Sequence, residues 1–207
     1  MRAGIGGPEA NSTADIWRRS AHWWQANTPL GAAAIGPAPE LPLPADAAVG
    51  FAFPPAAAQR AQLPALLALA AYDRPAEVAS DLLDGDIDRP DHPYLLVLPA
   101  ERIQPWTRGR TAPGLRKALT AHGWSGLTVP EYLVLQRQSF DAHGDHRFDA
   151  YTGDEPGWSW LPASTNGPLV GMAYYNPGSG TVQIAACKTG SKNPRKGAHL
   201  GRVLTGP

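Results

Sequence analysis

Residues 169–187 read LVGMAYYNPGSGTVQIAAC, and the fold is decided here. The runs 169–175 and 181–187 mix β-branched, aromatic and small apolar side chains, and Asn176-Pro177-Gly178-Ser179-Gly180 separates them. Proline fixes φ and glycine admits left-handed backbone, so a short loop of this make-up closes an antiparallel hairpin. The neighbouring stretches 158–161 and 199–204 are candidate partner strands, which places a small antiparallel sheet largely in the C-terminal part.

Upstream the apolar spacing changes from two to three or four. Thr128-Val129-Pro130-Glu131 reads as a capping box, after which Tyr132, Leu133, Leu135, Gln136 and Phe140 carry a helix to Gly144. Further helices are expected over 113–122, where Gly123 takes the left-handed cap, over 63–72 and over 75–83. Between them Tyr94-Leu95-Leu96-Val97-Leu98 is a continuous apolar run of strand length, closed by Pro99. Helices in the N-terminal and middle parts and strands late predict an α+β fold, and no 20–50-residue repeat suggests a solenoid.

At the other end, Ser12 and Asp15 start a helix on which Ile16, Trp17, Ser20, Ala21, Trp23 and Trp24 recur at helical spacing up to Asn27-Thr28-Pro29. The stretch 29–55 is dominated by Pro, Ala and Gly, with Pro37, Pro39, Pro42 and Pro44 close together, and cannot hold a helix. The expected organisation is an N-terminal helix with a linker or extended wrap over 1–58 and one α+β domain over 59–207.

The 207 residues carry 18 Lys+Arg against 18 Asp+Glu, so no global field draws the chain to nucleic acid or an anionic membrane. Cys187 is the only cysteine, which excludes an internal disulfide scaffold and points to a reducing compartment. The first residues lack the charged and apolar regions of a signal peptide, and the apolar stretch 63–72 is too short to cross a bilayer. A cytoplasmic location without a membrane segment is expected.

Four constellations carry chemistry. His143, Asp145, His146 and Asp149 cluster around Gly144 and suit zinc or a redox metal, although their spacing matches no zinc-protease helix and the same residues suit a solvated helix terminus. Asp84, Asp86 and Asp88 imitate a calcium loop until Arg89 and Leu95 occupy the positions that need Gly and Glu. Lys188, Lys192, Arg195, Lys196 and Arg202, interleaved with glycines and free of acids, could hold phosphate or nucleic acid. Cys187 beside Lys188 is a candidate nucleophile or a small buried hydrophobe. Nucleophile-elbow, Walker and dinucleotide motifs are absent. Of the seven Trp residues, Trp17, Trp23 and Trp24 lie on one short helix ahead of a Pro-rich stretch and are the candidate face for a protein partner.

Pro93-Tyr94-Leu95-Leu96-Val97, Leu127-Thr128 with Glu131, Trp160-Leu161 with Ser164, 168–175, and Gly197-Ala198 with Arg202 together resemble an uncharacterised family of small proteins from high-GC Gram-positive bacteria. The resemblance covers roughly the last half of the chain and implies a fold but no catalytic residue. It departs at Gln183, Ala185 and Ala186, where that family carries Trp-rich strands. The leading expectation is a non-enzymatic cytosolic protein that binds a protein partner; the alternatives are phosphate or nucleic-acid binding through the basic segment and a metal-dependent enzyme using His143 to Asp149. No cofactor is indicated.

Overall fold

A computed structural model describes residues 12–83, 85–100, 103–152, 155–192 and 196–206. The helices are α1 (Thr13–Asn27), α2 (Ala56–Ala61), α3 (Leu63–Leu69), α4 (Ala112–Ala121) and α5 (Val129–His143). The strands are β1 (Ala47–Phe53), β2 (Glu77–Val78), β3 (Asp86–Ile87), β4 (Tyr94–Pro99), β5 (Ala150–Thr152), β6 (Glu155–Pro156), β7 (Ser159–Asn166), β8 (Leu169–Asn176), β9 (Thr181–Lys188) and β10 (Arg202–Leu204). The fold is α+β, as the sequence implies.

The hairpin of β8 and β9 pairs in unbroken antiparallel register from Leu169 with Lys188 to Asn176 with Thr181. Gly180, at φ 68°, reverses the chain while its N–H donates to the Asn176 carbonyl at 2.9 Å. Around the hairpin a five-stranded sheet curls in the order β2-β9-β8-β7-β3. It is mixed, because β2 lies parallel to β9. Between Leu161 and Thr165 the register of β7 against β8 shifts, which is a bulge at Pro162-Ala163-Ser164. A second sheet, β1-β4-β10, is antiparallel, with β4 buried at its centre.

The main core joins both sheets. Phe51, Phe53, Tyr94 and Leu96 from one sheet meet Leu161, Ala173, Val182 and Ile184 from the other, with Tyr132, Leu133 and Leu135 of α5 among them. Helix α5 is buried on almost every side of its first turns, packed on α3, β7 and β8, which is why its sequence shows little amphipathic contrast. Its capping box forms: the Glu131 N–H donates to Thr128 Oγ1 and the Thr128 N–H to Glu131 Oε2. Among the described residues, the opposite face of the five-stranded sheet is covered at one end. There Leu115 and Leu119 of α4 pack on Trp160, Val170, Ala198 and Leu200.

One expectation is corrected. The segment 75–83 forms strand β2 and a single 3₁₀ turn over Ser80–Leu82 instead of a helix. The Val78 backbone pairs with Ile184 and the Ala79 N–H donates to the Ile184 carbonyl at 2.9 Å; this ladder and one buried anchor, Leu82, outweigh a weak helical spacing. The stretch 29–55 ends in β1, an edge strand paired to β4, so residues 12–58 wrap the same core as the remainder. Beside β1, α1 replaces a missing neighbour strand: Ser20 Oγ accepts the Ala52 N–H at 2.9 Å and Trp24 Nε1–H donates to the Ala52 carbonyl at 3.0 Å. Among the described residues no helix is long and apolar enough to cross a membrane.

Candidate functional site

The most deeply buried charges form a closed structural knot. Glu131, fully buried, accepts from Arg89 Nε at 2.6 Å and Nη2 at 2.8 Å, from the Tyr94 hydroxyl at 2.7 Å and from the Thr128 N–H at 2.7 Å. Arg89 also donates to the carbonyls of Asp88 and Gly126, and Gln59 donates to the Tyr94 oxygen at 2.9 Å. Burial, reinforced by the Glu131 carboxylate, raises the Tyr94 phenol well above its ordinary value, so it remains a donor. With every carboxylate oxygen engaged, the knot has no position for a substrate. Ser164 Oγ accepts the Val129 N–H beside it at 2.9 Å. The sequence shows the capping box but gives no sign that Arg89, which only spoils a calcium loop, is the buried counter-ion.

The metal-ligand candidates face different partners. His143 Nδ1 lies 2.9 Å from the Ser139 carbonyl. Asp145 is engaged by Arg147 at 2.8 and 2.6 Å, and those hydrogen bonds lower its pKa to about 2. His146 Nδ1 meets Gln136 Nε2 at 2.7 Å, while its ring stacks on Tyr175 and lies against Tyr72 and Phe140. Burial lowers His146 to about 4, against the opposing pull of Asp73 and Asp145. Asp149 is buried, receiving the Tyr132 hydroxyl at 2.8 Å and the Tyr175 N–H at 3.2 Å. Among the described residues no three His, Cys, Asp or Glu side chains are grouped to hold a metal. Of the calcium-loop imitation, Asp84 lies outside the described residues, and the backbones of Asp86 and Asp88 bond to β7 and Ala163.

The three tryptophans of α1 are turned inward. Trp24 is fully buried, Trp17 is 4 % exposed with Nε1–H on the Gly36 carbonyl at 2.9 Å, and Trp23 packs edge-on against Phe51. The basic set is divided. Lys196 is buried, its Nζ 4.9 Å above the Trp160 ring, 3.6 Å from Cys187 Sγ and 3.5 Å from Ser191 Oγ. Lys188 and Lys192 are exposed at the nearby end of β9. Arg202 is elsewhere, over Trp124 at 4.3 Å with Asp46 at 3.5 Å, and Arg195 lies outside the described residues.

Among the described residues, an open surface lies at the other end of that face of the five-stranded sheet. Glu77, Gln183 and Tyr174 stand in register across β2, β9 and β8, and the Trp158 ring packs on Tyr174 with centroids 4.1 Å apart. In the next row Trp160, Met172 and Ala185 are aligned, and Ala185 contributes only a methyl group. The result is an open trough of about 350 Å³ over Ala185, bounded by Trp158, Gln183 and the Glu77–Ala79 segment. At its rim Glu77 Oε2 accepts from Gln183 Nε2 at 2.8 Å. Burial and the neighbouring Glu77 charge both raise the Tyr174 pKa. Sequence reading placed Tyr174, Gln183 and Ala185 on the hairpin; the β2 pairing that brings Glu77 beside them has no local signal.

Comparison with known proteins finds no matching family model, no matching curated protein and no matching solved structure.

Proposed function

We propose that the protein is a non-enzymatic, cytoplasmic binding protein that holds a protein partner in the trough over Ala185. One observation supports this reading: the trough is an open concavity with Trp158 on its wall, whereas the most deeply buried carboxylates among the described residues, Glu131 and Asp149, are spent on internal hydrogen bonds. The test is affinity capture with immobilised protein, comparing the natural chain with Ala185→Trp, which fills the trough, and with Arg18→Ala on the exposed face of α1. Thermal melting confirms that both variants are folded. Partners retained by the natural chain and Arg18→Ala but lost with Ala185→Trp support the reading; an identical set from all three overturns it.

A second reading, anion binding at the C-terminal end of β9, is supported by Lys196, a buried cation whose polar neighbours are a thiol and a hydroxyl, with Lys188 and Lys192 close by in sequence. Its test is retention on heparin that weakens with salt and disappears in Lys188→Ala/Lys192→Ala.

A further inference from the structure

We infer that the occupant of the trough is an extended peptide segment that pairs with the exposed edge of β9 and places an Arg or Lys side chain between Trp158 and Glu77. The inference rests on the binding reading above and names the chemistry of the partner. Strand β9 is eight residues long, and β2 pairs with Gln183 and Ile184 alone; the 3₁₀ turn Ser80–Leu82 that follows lies near β9 without strand pairing. Among the described residues no strand pairs with β9 on that side from Ala185 to Lys188. An unpaired strand edge beside a concavity is the geometry of strand addition, in which backbone bonds hold the peptide and alternate side chains enter the groove.

Charge selects the side chain. Glu77 is exposed, its polar partner is a neutral amide, and no Arg or Lys ion pair is made to it among the described residues. It shares the trough with the Trp158 ring, and a carboxylate near an aromatic face is the arrangement that favours an organic cation over a neutral or anionic group.

The experiment titrates ¹⁵N-labelled full chain with capped heptapeptides of alternating Thr and Val, the central position carrying Arg, Lys, citrulline or Glu. The expected result is that the Arg and Lys peptides shift the amide resonances of Ala185 to Lys188 and the Trp158 indole signal, and that citrulline and Glu bind at least tenfold more weakly. Raising salt weakens the Arg peptide, and Glu77→Gln reduces it to the citrulline level. Equal binding of Arg and citrulline peptides overturns the cation site. Shifts confined to Trp158 and Tyr174, without the β9 edge, overturn strand pairing. Absence of any shift overturns the inference as a whole. The capture experiment with Ala185→Trp reads the binding function itself, so partners lost on filling the trough alongside silent peptides would show that only the chemistry assigned here is wrong.

Discussion

Arg89 and Glu131, 42 residues apart in sequence, meet as a two-pronged ion pair with side chains 2 % and 0 % exposed. Removing one partner leaves a buried charge alone. Glu131→Gln is therefore expected to lower stability by about 3–5 kcal/mol, read as a drop in the urea midpoint. Combining it with Arg89→Met recovers part of that loss, since no isolated charge remains. A Glu131→Gln protein with an unchanged midpoint would show that the knot adds nothing.

The helix that guards β1 makes a second prediction. Ser20→Ala leaves the Ala52 N–H without its acceptor and costs about 1–3 kcal/mol. Trp24→Ala, which empties the contact with Phe51 and Phe53, costs about 3–5 kcal/mol. Thermal melting measures both, and light scattering near the midpoint is expected to rise as the β1 edge is uncovered.

Stability should also depend on acid through His146. Its native pKa of about 4 lies below the ordinary 6.5, so the unfolded chain binds the proton more readily between these values. The contribution is complete above pH 6.5 and is lost as pH falls from 6.5 through 4. For a half-buried ring the change is roughly 1–2 kcal/mol after solvent screening. His146→Phe keeps an aromatic ring against Tyr175 and should flatten this part of the urea-midpoint profile; an unaltered slope would assign it to other groups.

Gly126 is held at φ +73° with Pro162 Cγ only 2.5 Å from where a Cβ would stand. Gly126→Ala is expected to lose about 2 kcal/mol or more, because the collision is with the β7 bulge and not with a mobile side-chain tip. Gly190, which has open space and no positive φ, is the control: Gly190→Ala should leave the melting temperature almost unchanged.

Legibility of the fold followed the range of the signals. Helix α5 was readable because Thr128 and Glu131 bond each other within one turn, and Gly144, at φ 75°, ends it in the left-handed region. The β8–β9 hairpin was readable because its turn residues lie between its strands. Strand β1 was hidden: Ala-Ala-Val-Gly-Phe-Ala-Phe in a Pro-rich stretch becomes a strand only through β4 and the side chains of α1. The trough was illegible for the same reason. Glu77 reaches Gln183 across 106 positions, a distance no periodicity spans. The charge cluster around Gly144 was conspicuous in sequence, yet its members spend their polar atoms on Ser139, Arg147, Gln136 and Tyr132.

Val97 in β4 lies between Gly50 on one side and Arg202 on the other. During synthesis the first of these neighbours emerges well before β4, and the second only after all of α4, α5 and the curled sheet. Until Arg202–Leu204 arrives, one flank of the most apolar strand in the chain must be shielded by other means. Loop closure over such a separation is slow, so the nascent protein passes through a period in which β4 invites wrong neighbours, and the three residues of β10 act as the late bolt that ends it.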